Sequence, residues 1–137
     1  MIIDSSALVA VVRGEPERAV FADAIAGDHR RLISAPTYLE ASIVIERLGE
    51  PVLVREFDTV LADLQISTVP FTAQQALIAR AAYRDYGKGS GHPAQLNLGD
   101  CFAYALAKDS GEPLLYKGDD FGHTDVRSVF PGGLVPD

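Results

Sequence analysis

The sequence predicts a three-layer α/β/α sandwich around a central parallel sheet, and three features carry that expectation. Short apolar strands recur along the chain. The stretches between them, roughly 30 to 45 residues long, hold helical periodicity and are too long for hairpins, so the strands must join by crossovers. The chain has 137 residues, 47% apolar and 23% charged, the size and balance of one globular domain rather than of a disordered polymer. At this length about two thirds of the unfolded surface can be buried, which supports a core without a disulfide or a structural metal. A single domain over residues 1–137 is expected.

Residues 1–3 read as the first strand, ending at Asp4-Ser5-Ser6, and an apolar helical pattern runs on to Val12. Glu15-Pro16-Glu17 opens a second helix with Ala19, Ala22 and Ala26 at helical spacing, stopped near Gly27. Residues 31–34 read as the second strand. Pro36 begins the next helix at a position where its missing N–H does little harm, and Ala41, Val44, Ile45 and Leu48 give it one buried stripe before Gly49. An amphipathic helix over 52–64 follows, then a third strand over 66–69.

Thr72 and Gln75 form a capping-box pattern, and Ala79, Ala82, Tyr83 and Tyr86 are the apolar stripe of the helix they start. Gly87 ends it, and residues 88–96, rich in Gly, Ser and Pro, read as an exposed loop. Asn97-Leu98-Gly99-Asp100 leads into a helix with Phe102, Ala105 and Leu106 on one side and Gly111 at its end. Residues 114–116 are the fourth strand, with a last short strand around 127–129.

Composition excludes several classes of function. The longest clean apolar run, residues 7–12, is six residues against the roughly 20 that span a bilayer, and no basic residue precedes Arg13, so neither a membrane span nor a secretory leader is expected. A cytoplasmic location follows. Cys101 is alone, which forbids an intrachain disulfide, and it reads as a small buried apolar residue. His29, His92 and His123 have no zinc-type spacing, so any metal would be held by oxygen. The formal charge of −7 opposes adhesion to bulk nucleic acid, although an acidic cluster can recruit divalent cations that make the phosphate contact instead. Neither a GxxxxGK[ST] phosphate loop nor a GxGxxG after a strand is present.

In parallel α/β sheets the functional crevice lies beyond the carboxyl ends of the strands. Four acidic positions fall there: Asp4 after the first strand, Glu40 in the first turn of the helix after the second, Asp100 at the start of its helix, and Asp119 or Asp120 after the fourth strand. Singly, each has an ordinary explanation as a cap, a helix-dipole partner or a solvated turn. As a set they demand more. Carboxylates about 4 Å apart repel by roughly 4 kcal/mol per pair at an effective dielectric of 20, and a hard divalent cation removes that cost. Carboxylate oxygens suit Mg²⁺ or Mn²⁺, and such a site activates water and stabilises charge on a phosphodiester. Metal-dependent hydrolysis is the chemistry these residue types favour.

The opening MIIDSSALVA, Tyr38-Leu39-Glu40, the block LNLGDCFAYALAK at 96–108 and LLYKGDDFGHTDV at 114–126 together resemble a PIN-domain ribonuclease of the VapC toxin family. The match covers essentially the whole chain in order. The resemblance implies a PIN-like sandwich and the toxin of a type II toxin–antitoxin (VapBC) module. That toxin is a Mg²⁺- or Mn²⁺-dependent endoribonuclease that cuts RNA, usually at a structured tRNA or rRNA site. It also implies neutralisation by a VapB-type antitoxin, a homodimer, and contact with operator DNA only through the antitoxin.

Carried over, Asp4, Glu40 and Asp100 match the family's acidic residues, with Asp4 and Asp100 as principal metal ligands, and Ser6 matches its small hydroxyl residue. The fourth position departs: alignment on Phe121 puts Gly118 where relatives place an aspartate, so Asp119 is expected to take over, with Asp120 in reserve. Asn97 is either a hydrogen-bond donor behind Asp100 or the cap of its helix.

Lys117 beside the site is a candidate phosphate contact, and Arg80, Arg84 and Lys88 fall at i, i+4, i+8 as a candidate RNA-tracking stripe; a solvated face is the ordinary alternative for all four. Tyr83 and Tyr86 are expected in the core or a dimer interface, and His92 as incidental. The 52–64 helix carries Leu53, Phe57, Val60, Leu61 and Leu64. That is more apolar surface than an outer helix needs, and it points either to an antitoxin groove or to core packing. Two rival functions remain in view. One is a PIN-like module without activity that binds RNA or protein. The other is a receiver-like phosphoacceptor, which the sequence disfavours by placing Pro70-Phe71 after the third strand.

Overall fold

The computed structural model describes residues 1–133. In order the elements are β1 (Ile2–Ile3), α1 (Ser5–Arg13), α2 (Arg18–Gly27), β2 (Leu32–Ser34), α3 (Ala35–Arg47), α4 (Pro51–Asp63), β3 (Ser67–Val69), α5 (Ala73–Tyr86), α6 (Leu98–Ser110) and β4 (Leu114–Leu115). A short 3₁₀ turn at Asp120–His123 follows. The four strands form one sheet in the order β3-β2-β1-β4, all parallel, with Ile2 paired to Leu32 and Leu114 and Ile33 to Thr68. The expected last strand reduces to one isolated bridge between Leu114 and Ser128.

Alternation along these short strands sorts the core into two halves. Ile3, Ile33 and Leu115 face α1 to α4, whereas Ile2, Leu32, Leu114 and Val69 face α5 and α6. The result is the three-layer sandwich. Caps fix where the helices begin and stop. Asp4 accepts a hydrogen bond from the Ser6 N–H at the start of α1, and Gly14 closes that helix in the left-handed conformation at φ 70°. Thr72 accepts from the Gln75 N–H at the start of α5. The Gln75 amide turns instead to Asp109, so only half of the expected capping box forms.

Several helix faces differ from the sequence reading. The buried residues of α2 are Phe21 and Ile25, while Ala19 and Ala26 are exposed. On α3 the core takes Thr37, Ala41 and Ile45, leaving Val44 and Leu48 at the surface. Helix α6 is buried nearly all round, since it lies between the sheet and α5. The apolar residues expected to form an antitoxin groove on α4 belong to the core: Phe57 and Val60 are buried, and Leu53, Leu61 and Leu64 pack against the same cluster. The ring of Phe57 sits 5.6 Å from that of Tyr38. The core-packing alternative therefore accounts for that stripe.

Candidate active site

Parallel strands with right-handed crossovers deliver successive connections to one edge of the sheet, and the acidic residues meet there. Asp4 follows β1 directly, Glu40 projects from the second turn of α3 and not the first as expected, because that helix already begins at Ala35, Asp100 stands in the first turn of α6, and Asp120 opens the 3₁₀ turn behind β4. These four, with Ser5, Ser6, Val44, Asn97, Lys117 and Phe121, line one cavity of about 250 Å³.

Asp4 is only 3% exposed. Its Oδ2 accepts from the Ser6 hydroxyl at 2.6 Å and the Ser6 N–H at 3.1 Å, and its Oδ1 is buried with no partner. Ser6 Oγ in turn accepts from the Lys117 N–H at 2.9 Å, so the segment after β4 is tied through Ser6 to Asp4. Burial raises the Asp4 pKa to about 7; the Ser6 hydrogen bonds oppose that rise, and the charges of Asp100 and Glu40 add to it. Asp100 is raised in the same way, by burial first and then by Asp120 and Glu40, against the Asn97 N–H and Lys88.

Local hydrogen bonds hold the remaining carboxylates. Asn97 and Asp100 form a reciprocal capping box: Asn97 Oδ1 accepts from the Asp100 N–H at 2.9 Å, and Asp100 Oδ2 accepts from the Asn97 N–H at 3.1 Å. Asn97 thus caps α6, and the donor it offers Asp100 is its backbone N–H, within the same capping box. Glu40 Oε1 accepts from the Ser5 hydroxyl at 2.7 Å.

The preference for Asp119 is corrected by this geometry. Asp119 lines a separate cavity of about 560 Å³ with Tyr116, His123 and Ser128, whereas Asp120 lines the acidic one and acts on Asp100. Gly118 at φ 103° turns the chain, and the buried Phe121 ring, 5.2 Å from Tyr116, anchors the residue next to Asp120.

The basic candidates are dispersed. Lys117 stands on the rim, but its ammonium lies 2.6 Å from Glu15 and 2.9 Å from Glu17. Arg80 and Lys88 are exposed, as is Arg84, which pairs with its neighbour Asp85 at 2.9 Å. Tyr83 is exposed, while Tyr86 is half-buried beside His92 and Tyr104. Cys101 is buried and its thiol is pushed up to about 11, mainly by that burial.

The donor set suits a hard cation. Among the described residues no three His, Cys, Asp or Glu side chains are already gathered closely enough to close on an ion by themselves. Mg²⁺ does not require that, because it keeps several waters and binds through one or two carboxylates. The unpartnered Asp4 Oδ1, buried beside carboxylates that raise its pKa, is the feature a cation would satisfy.

Residues 1–127 match the family model of the PIN domain. Ribonuclease VapC28 of Mycobacterium tuberculosis is 50% identical over 127 residues, which cover 93% of this chain and 96% of that protein. Ribonuclease VapC30 of the same organism is 54% identical over 130 residues, 94% and 98% of the two chains. The chain belongs to the PIN-domain family of VapC ribonucleases. The PIN fold is matched at far lower identity by solved structures. The sarcin-ricin-loop-cleaving toxin VapC20 of M. tuberculosis aligns over 95% of this chain and 98% of its own, with a TM-score of 0.72 at 16% identity. A chain of a toxin–antitoxin complex from Klebsiella pneumoniae covers 97% and 98%, with a TM-score of 0.69 at 18% identity.

Two residues that touch Glu40 drew no attention in the sequence: Ser5, whose hydroxyl donates to it, and Gly99, which its carboxylate overlies. Ser5 was overshadowed by Ser6. Gly99 carried a signal: a glycine in the first turn of a helix, where alanine is the better helix former.

Proposed function

We propose that this PIN-domain ribonuclease is the toxin of a type II toxin–antitoxin pair, an endoribonuclease that hydrolyses RNA phosphodiester bonds with Mg²⁺ or Mn²⁺. Asp4, Glu40, Asp100 and Asp120 would hold the cation. The observation that carries this reading is the convergence of carboxylates from four separate elements on one cavity, with Asp4 Oδ1 buried and unpartnered. When bound, the cation would lower the pKa of a water and stabilise charge developing on the phosphodiester.

The chain's own residues do the positioning. Ser6 fixes Asp4 through two hydrogen bonds to one oxygen, Asn97 fixes Asp100 through the capping box, and Ser5 fixes Glu40. Such outer partners typically contribute 10- to 100-fold in metal affinity or activity.

Supporting the toxin role, one fold neighbour is a chain of a toxin–antitoxin complex and another is a toxin that cuts the sarcin-ricin loop. On this reading the substrate is a structured tRNA or rRNA, the partner is a VapB-type antitoxin, the toxin is a homodimer, and operator DNA is reached through the antitoxin. No helix among the described residues is long and apolar enough to cross a membrane, which accords with a cytoplasmic site of action.

The deciding experiment incubates purified protein with structured RNA in Mn²⁺ and then in chelator. Cleavage that needs the metal and disappears in Asp4→Asn is expected. Cleavage that persists in chelator refutes the metal site, and RNA binding without cleavage in any divalent metal identifies an inactive module. Mapping new 5′ ends across the transcriptome then names the target.

A further inference from the structure

Gly99 sits in the first turn of α6 without needing to be glycine for its backbone, since it is absent from the residues with positive φ. The C-cap glycines of α1 and α6, Gly14 and Gly111, have that reason, at φ 70° and 71°. What Gly99 lacks room for is a side chain. A methyl built on it would overlap Glu40 Oε2 outright and stand 2.7 Å from Glu40 Cδ and 2.9 Å from Oε1. The Glu40 carboxylate therefore occupies the space a Cβ would fill, lying over the first turn of α6, where the partial positive charge of the helix end favours it. Its other contact is Ser5, whose hydroxyl donates to Oε1 at 2.7 Å.

We propose that Gly99 is a positioning residue for Glu40: its missing side chain and the Ser5 hydroxyl together set the Glu40 carboxylate in the cavity it shares with Asp4 and Asp100. The inference rests on the reading of those three carboxylates as one site. Its mechanical content is a size match between residues 40 and 99. Glu40 is the far end of a flexible side chain, so an added methyl displaces the carboxylate instead of breaking the helix. Alanine at 99 also improves helix propensity. Stability and site geometry should therefore separate, which ordinary packing would not allow.

The test compares Gly99→Ala, Glu40→Asp, the Gly99→Ala/Glu40→Asp pair and Glu40→Gln, reading Mn²⁺ affinity by calorimetric titration, RNA cleavage, and thermal unfolding in chelator. Gly99→Ala should unfold at the wild-type temperature or above, yet bind Mn²⁺ about tenfold or more weakly and cut correspondingly less. Shortening the acid to Asp clears the methyl, so the pair should bind and cut better than the product of the two single losses. A Gly99→Ala protein that binds and cuts like the wild type, beside an impaired Glu40→Gln, overturns the positioning role alone. Wild-type behaviour of Glu40→Gln overturns the site reading itself. Strict multiplicativity of the pair overturns the size match, as does a Gly99→Ala/Glu40→Asp pair that fails to fold.

Discussion

Asp4 caps a helix with one oxygen and leaves the other buried and unpartnered, an arrangement that favours the neutral acid unless a cation is near. Burial, reinforced by Asp100 and Glu40, lifts its pKa from 3.8 to about 7 in the folded chain. A raised folded-state value means that the metal-free protein holds an extra proton between those limits, so the stability this contributes is complete below about pH 4 and is lost as pH rises through 7. Asp100 titrates in the same direction. In chelator the unfolding temperature should fall between pH 5 and pH 8. Asp4→Asn should flatten that fall and unfold higher at pH 8, while losing more than about 100-fold in cleavage. Calorimetry across the pH range checks both, and an Asn variant with the wild-type slope would show that Asp4 is not the group that titrates. Saturating Mn²⁺ at 100 times its Kd should add about 2.7 kcal/mol to the wild type and nothing comparable to the variant.

At the scale of elements, α4 tests which apolar stripes belong to the core. Phe57 is buried against Tyr38, so Phe57→Ala should destabilise by about 3–5 kcal/mol in a denaturant titration. A loss below about 1 kcal/mol would mean that the ring is not in the core. The same helix shows what the sequence could and could not convey. Strands and helix ends were legible because short apolar runs, Pro at helix starts and Asp, Thr or Asn caps are local signals. Which face turns inward was not, because it depends on how each helix crosses its neighbours: Phe21 and Ile25 outcompete the alanines of α2, and Val44 is left at the rim of the acidic cavity. The positions of Asp4, Glu40 and Asp100 could be read from the strand-end rule. Asp120 could not, since its aim depends on the Gly118 backbone and the burial of Phe121, a three-dimensional circumstance of a single turn.

For the molecule as a whole, the −7 charge sets how RNA must be held. Many of its cations are already engaged: Lys117 with Glu15 and Glu17, Arg84 with Asp85, Lys108 with Asp125, Arg18 with Glu56, and Arg30 with Glu112. Arg47, Arg55, Arg80 and Lys88 are exposed outside these pairs, too few to offset the net negative charge. Each phosphate neutralised on a single strand contributes a slope of about −0.7 to the dependence of log affinity on log salt. If the divalent cation makes the main phosphate contact, affinity for a non-cleavable RNA measured by fluorescence anisotropy between 50 and 400 mM KCl at fixed Mn²⁺ should fall with a slope no steeper than about −1.5. A slope near −2 or steeper, about −0.7 for each of three contacts, would mean that Arg80, Arg84 and Lys88 do act as a tracking stripe. In that case Lys88→Ala should make the slope shallower by about 0.7, whereas with the cation as the main contact it should leave the slope unchanged.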